Sequence, residues 1–215
     1  MTTTALNPGS MSHYVGTLRQ VLDFSGTEPN PARHRTVKLP RAKREEPTPP
    51  TRAEVDAIVA NVARQYRLPI RLMEATALRV SEALGLRWGD VDSRNGRLRV
   101  SRTRTKQGTG GQRFVQVPAP LMDELEALVP REDRTPDRPV FLVTREALRM
   151  AMQRGCTAAG ITNHSPHSLR HRRLSLWHAQ NVPARELAAR AGHSRPSLSL
   201  DVYSHVVAPD DDEWA

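Results

Sequence analysis

Residues 97–117 read RLRVSRTRTKQGTGGQRFVQV. Leu98 and Val100 alternate with Arg97, Arg99 and Arg102, a period of two that predicts a strand with one apolar face. Gly108, Gly110 and Gly111 mark a turn, and Phe114, Val115 and Val117 predict the returning strand up to Pro118. The stretch is therefore an antiparallel hairpin with a basic tip. Everything around it has the helical period instead. Thr51-x-x-Glu54 is a capping box, and Val55, Ile58, Val59, Val62 and Tyr66 predict one apolar helix face behind it. A second helical stretch follows Pro69 through Leu72, Met73 and Ala77, and a third runs from Val80 to Leu86. Beyond the hairpin, helices are expected at 119–129, 144–159, 167–179, 183–191 and 197–205, with a short strand at Val140–Val143. Ser165-Pro166 opens one of these helices, and Gly192 suits the stop of another. The fold class is mainly α with a small antiparallel β-sheet (α+β).

The region before Thr51 has a different character. Residues 1–8 read as a loose tail. Residues 9–26 predict one helix, with Tyr14, Leu18, Val21 and Leu22 at helical spacing and Gly26 as its stop. Residues 27–50 hold six prolines and a basic run from Arg33 to Arg44, which predicts an extended, positively charged linker.

The 215 residues carry a formal charge of +9, and only three of the 32 basic residues are lysines. Arginine is always charged and grips phosphate with two parallel hydrogen bonds, so this bias suits a nucleic-acid partner. The single cysteine, Cys156, excludes a disulfide scaffold and a multi-cysteine zinc site. No apolar run approaches a membrane span and no signal-peptide core follows the start, so the expectation is a cytoplasmic protein with no membrane partner.

The residues able to carry chemistry cluster in a few places. Residues 163–172, NHSPHSLRHR, place three histidines and two arginines at one helix start, with His167 and Arg170 on one helix face. Gly192-His193-Ser194 and Tyr203-Ser204-His205 follow. Upstream, Arg79 and Glu82 stand one turn apart, and Lys106 lies at the hairpin tip. Taken singly, each has a plain reading: Arg79–Glu82 is an i,i+3 surface pair, Lys106 a solvated loop residue, and Tyr203 a half-buried aromatic. His167, His171 and His178 share a helix, but no carboxylate falls at ligand spacing and three arginines surround them, which argues against a metal.

The order Arg, Lys, His-x-x-Arg, Gly-His, Tyr resembles the tyrosine recombinase (phage integrase) family, from about Thr51 to Val207. TALRVSEALGLRWGDVD (76–92) is similar to the family's first box. HSPHSLRHR (164–172) and ARAGHSRPSLSLDVYSHV (189–206) are similar to its second box and the run to the nucleophile. The departures are Ala77 and Ala191, where the family more often has Gly and Leu.

The resemblance implies the tyrosine recombinase catalytic-domain fold over 51–215, with 1–26 as a tail and the remnant last helix of a core-binding domain. It implies Arg79, Lys106, His167, Arg170, His193 and Tyr203 as catalytic residues and Glu82 as a supporting acid. Arg102, Arg104 and Arg172 are expected to contact DNA, while His164 and His171 miss the His-x-x-Arg spacing. Tyr203 would attack phosphorus and conserve the bond energy as a phosphotyrosine. No cofactor is then expected, neither metal nor ATP. The implied partners are double-stranded DNA at attachment sites and further copies of the chain, as a dimer or tetramer on DNA.

Three other readings compete. One is a truncated, recombination-defective DNA-binding remnant of an integrase. Another is a type IB topoisomerase, and the last a helix-turn-helix regulator built on 167–191, which leaves Arg79, Lys106 and Tyr203 unexplained.

Overall fold

The computed structural model describes residues 8–39, 48–101, 112–192 and 214. The chain divides into two compact units, Met1–Glu46 and Pro47–Ala215. The described part of the first unit is built on helix α1 (Pro8–Phe24) and a 3-10 turn at Pro31–Arg33. Asn30 holds that turn against the helix. It donates to the carbonyl of Arg19 at 3.0 Å and to Asp23 at 2.7 Å, while Arg33 pairs with Asp23 at 2.6 Å. Tyr14, Leu18, Val21 and Phe24 all lie exposed on α1.

In the second unit the capping box at Thr51 forms as its spacing predicts. The Thr51 hydroxyl accepts from the Glu54 N–H at 3.2 Å, and Glu54 accepts the Thr51 N–H at 2.7 Å. Helix α2 (Arg52–Ala60) follows, burying Val55 and Ile58. The boundary between the first two helices differs from the expectation. The break falls at 61–63 and helix α3 runs Arg64–Thr76 straight through Pro69. Proline lacks an N–H and costs a helix one bond, but here Leu68, Ile70, Leu72 and Met73 around it are buried, and that packing outweighs the local loss. Helix α4 (Val80–Leu84) is short.

Among the described residues the sheet has three strands rather than two. Strand β1 (Val91–Asp92) pairs with β2 (Arg97–Ser101), and β2 with β3 (Gln112–Gln116), all antiparallel. The register sets Leu98 opposite Val115 and Val100 opposite Arg113 on one face. Arg97, Arg99 and Phe114 take the other face, where the Arg97 guanidinium lies 4.1 Å from the Phe114 ring centre. The two legs of the hairpin are thus where the alternation puts them, and its tip, 102–111, lies outside the described residues.

Residues 140–143 form no strand. Among the described residues an isolated bridge, Arg87 with Pro139, attaches this segment, with the Val140 N–H donating to the Leu86 carbonyl at 2.9 Å and the Trp88 N–H to that of Arg138 at 3.0 Å. Pro139 has no N–H to extend a ladder, and Val140 and Phe141 reach the core as a loop.

Helices α5 (Ala119–Glu126), α6 (Arg145–Ala159), α7 (Pro166–Ala179) and α8 (Ala184–Ala191) follow among the described residues. The helix expected at 197–205 lies outside the described residues. Helix α7 packs on α3, and α6 on α2. Pro166 at its first position suits α7, since that N–H has no helical partner anyway. Yet α7 is not a simple amphipathic helix: Arg170, Arg172 and Arg173 are buried along with Leu169, Leu174 and Leu176.

Arg172, expected at the DNA, is corrected by this packing. It is 0% exposed, donates to Glu74 on α3 at 3.3 Å and to the Pro50 carbonyl at 3.2 Å. Arg173 joins it on Glu74 at 2.9 Å, and the Trp214 indole N–H meets the other carboxylate oxygen at 2.6 Å. The Arg172 guanidinium is spent on a buried carboxylate and the Pro50 carbonyl, which makes it a structural residue rather than a DNA contact. Glu74→Gln keeps an acceptor oxygen but leaves two buried arginines without their counter-charge. It should lower unfolding stability by about 3 kcal/mol, read as a shift in the urea midpoint.

Candidate active site

The site begins at the end of α3. Ala77 terminates that helix in the left-handed region, φ 54°, which explains why glycine suits this position better. The turn aims the Ala77 carbonyl at α7, where Arg170 Nη1 donates to it. Arg79 then caps α4 with extended backbone. Glu82, three residues on, reaches back to the Arg79 N–H at 2.8 Å and to its guanidinium at 3.0 Å.

Two arginines converge on the end of α8. Arg170, 2% exposed, donates through Nη2 to the Ala191 carbonyl at 2.7 Å. Arg79 donates to the same carbonyl at 3.5 Å and to that of Gly192 at 3.2 Å. These are terminal helix carbonyls without helical partners, at the negative end of the helix dipole, so they hold cations well. Gly192 leaves the helix at φ 66°, as its expected role as a stop requires.

Glu82 is not the surface acid that its spacing alone suggests. Its side chain is 6% exposed and takes both arms of the Arg113 guanidinium, at 3.0 and 2.8 Å, beside its bonds to Arg79. Burial acts to raise its pKa. The Arg113 fork, the Arg79 N–H and the two positive charges outweigh this and hold it at about 2. Arg113 was not singled out in the sequence. The available signal was its register: it stands two residues before Val115 on the inward face, where a charged side chain needs a partner.

His167 lies one turn before Arg170 on α7. Burial, then the charges of Arg170 and Arg79, push its pKa down. His171 meets it edge-on with ring centres 4.5 Å apart, and burial, then His167 and Arg170, lower His171 to about 4. His167 is thus neutral near pH 7 and able to accept a proton. It borders a cleft of about 390 Å³ with Arg79, Ser81, Ser165, Arg145 and Arg149, the last two unforeseen. Arg149 is occupied by Glu146 at 2.6 Å. His164, which misses the His-x-x-Arg spacing, faces Glu54 at 3.5 Å.

The structure therefore brings together Arg79, Glu82, His167 and Arg170 of the expected set. Lys106, His193, Tyr203, Arg102 and Arg104 lie outside the described residues. Among the described residues no three His, Cys, Asp or Glu side chains are grouped to hold a metal ion.

The depressed pKa of Glu82 has a thermodynamic consequence. The folded group titrates near 2 against an ordinary 4.5, so its contribution to stability is complete above pH 4.5 and is lost as pH falls toward 2. Glu82→Gln should be markedly less stable than wild type at pH 7, and the gap should close on acidification between those values. Urea unfolding at several pH values reads it.

Comparison with known proteins gives the chain a family. Residues 51–208 match the phage integrase family. The tyrosine recombinase XerA of Pyrococcus furiosus is 28% identical over 93% of the chain and 70% of its own length. A tyrosine recombinase XerD of Neisseria meningitidis is 29% identical over 80% of the chain and 63% of its own length. The Tn1549 transposon integrase, solved with transposon right-end DNA, superposes with a TM-score of 0.75 over 94% of the chain and 77% of its own. At 16% identity that last likeness speaks for the fold.

Proposed function

The chain belongs to the phage integrase family, and from that premise we propose that it is a site-specific DNA recombinase that cuts and rejoins DNA through a 3′-phosphotyrosyl intermediate. The observation that carries the reading is the shared Ala191 carbonyl. Arg79 and Arg170 are anchored on one backbone oxygen, with His167 one helical turn before Arg170 on α7. Such a pair suits the non-bridging oxygens of one phosphate, where charge builds in the transition state. The relatives and structural neighbours support the recombinase reading, and they do not favour a recombination-defective remnant.

The chemistry assigns a role to each group. A tyrosine near pKa ~10 is neutral at pH 7, so Tyr203 needs a base or a cationic site as it attacks phosphorus. His167 accepts its proton, and Arg79, Arg170 and His193 hold the phosphoryl oxygens. The P–O5′ bond breaks, and Lys106 protonates the departing 5′-oxygen. One phosphoester replaces another, so rejoining runs the same steps backward and the scheme calls on neither ATP nor a metal. Residues 51–215 carry this chemistry, 27–50 link them to the preceding helix, and Arg102, Arg104 and Arg145 contact the DNA backbone. Two or four copies would assemble on the DNA, in the cytoplasm. Among the described residues no helix is long and apolar enough to cross a membrane.

The test is covalent trapping at low salt on nicked duplexes, a randomised pool supplemented with DNA adjoining the gene. Wild type should form an adduct that Tyr203→Phe abolishes while binding persists. Arg170→Lys and Arg79→Ala should each slow its formation by about 10²- to 10³-fold. An adduct with Tyr203→Phe, or none with wild type across the pool, overturns the proposal. Arg145→Ala should weaken binding without sequence preference and reduce the salt slope of the affinity by about one.

A further inference from the structure

Arg113 makes contacts that the proposed chemistry does not use. It stands at the start of β3, on the strand that leads out of the hairpin tip bearing Lys106. Its register turns it inward beside Val100, away from the face of Arg97 and Arg99. There its two guanidinium arms take both oxygens of Glu82, and its Nε donates to the Arg190 carbonyl at 3.2 Å. One side chain thus touches the acid that orients Arg79 and also the last turn of α8, whose end carries Arg79 and Arg170.

The neighbouring glycine fits the same arrangement. A Cβ on Gly192 would stand 2.6 Å from Arg113 Nη1 and 2.9 Å from its Cζ. The guanidinium passes so close to the turn after α8 that no larger residue fits without displacing it.

We propose that Arg113 is a positioning residue for the strand-transfer reaction: by clamping Glu82 and the end of α8 it fixes Arg79 at the scissile phosphate and ties the hairpin to the arginine pair. This rests on the recombinase reading above. The physical argument is one of geometry. Arg79 is 39% exposed and on a flexible stem, so it loses rotamer freedom when held, and a buried acid that is itself held is what fixes it. Glu82 alone could rotate away; gripped at both oxygens by a planar fork, it cannot. Lysine would supply the charge at this place without the fork or the reach to Arg190.

A double-mutant cycle of Arg79→Ala and Arg113→Gln tests this, read in two ways. The first is the single-turnover rate of adduct formation. The second is the affinity for an uncleaved duplex in a Tyr203→Phe background, which stays readable if the wild type forms no adduct and the recombinase reading fails. Arg113→Gln should slow adduct formation by about 10- to 100-fold, the scale at which supporting contacts act. In the Arg79→Ala background it should add almost nothing to either readout. Arg113→Lys, the milder change should glutamine impair folding, should recover only part of the rate.

The pH profile supplies a readout that a purely structural role would not move. Glu82 faces Arg79 from α4 and Arg113 from β3, and Asp90 and Arg99 line the shallow cleft beside it. Without Arg113 the buried carboxyl loses its largest opposing contact, so its pKa rises and the adduct rate should gain an acidic limb absent from wild type. Additive losses in both arms of the cycle, or full activity of Arg113→Gln with an unchanged pH profile, would overturn the proposal.

Discussion

The carbonyl oxygen of Ala191 accepts hydrogen bonds from both site arginines. It does so because α8 ends there. A mid-helix carbonyl is committed to the N–H four residues on, whereas the last carbonyls have no such partner and carry the negative end of the dipole. Gly192 makes the ending abrupt by taking φ 66°. Arg79 and Arg170 are therefore drawn together by a helix terminus, and Glu82 additionally holds Arg79. That matters for phosphate chemistry. A carbonyl orients a guanidinium with a dipole and, unlike a carboxylate, does not cancel its charge; Arg79 is in addition shared with the Glu82 carboxylate.

The acids that are present obey the same logic by standing behind the arginines. Glu82 is shared between Arg79 and Arg113, and Glu74 between Arg172 and Arg173. Each is a single carboxylate serving two guanidinium groups, so each cluster stays net positive. Burial of such groups is expensive unless every lone pair and donor is used, and the hydrogen bonds to Pro50, Trp214 and Arg190 go toward that requirement. The lowered pKa values of His167 and His171 follow first from burial and then from neighbouring positive charge, Arg170 and Arg79 beside His167, His167 and Arg170 beside His171. A histidine kept neutral among arginines is a proton acceptor at neutral pH.

The sequence was most legible where a local rule has a strong physical cause. The period of two from Leu98 to Val100 and from Val115 to Val117 marks both hairpin legs, and the Thr51–Glu54 box marks the start of α2 to the residue. His167 and Arg170 share a face because helical spacing forces it. Legibility failed where tertiary packing overrides local preference. Pro69 argues for a helix boundary, yet burial of the residues around it carries α3 through. Val140–Val143 has the composition of a strand but finds no partner edge. Arg172 looks like its neighbours in a basic run, and only the position of Glu74, distant in sequence, decides that it is structural.

Arg113 differs from these, because its register in the strand already carries the information. In a strand where alternate positions Val115 and Val117 face the core, the residue two before Val115 must face inward as well. Flanked by glycines and glutamine, it reads as part of a basic, solvated hairpin. An arginine at an inward register position cannot be solvated, so it must be paired, and the acid it pairs with is thereby removed from the surface too. The plain reading of Arg79–Glu82 as an exposed i,i+3 pair fails for that reason alone. The inward arginine and the apparently ordinary surface acid are two ends of one contact, and each is explained only by the other.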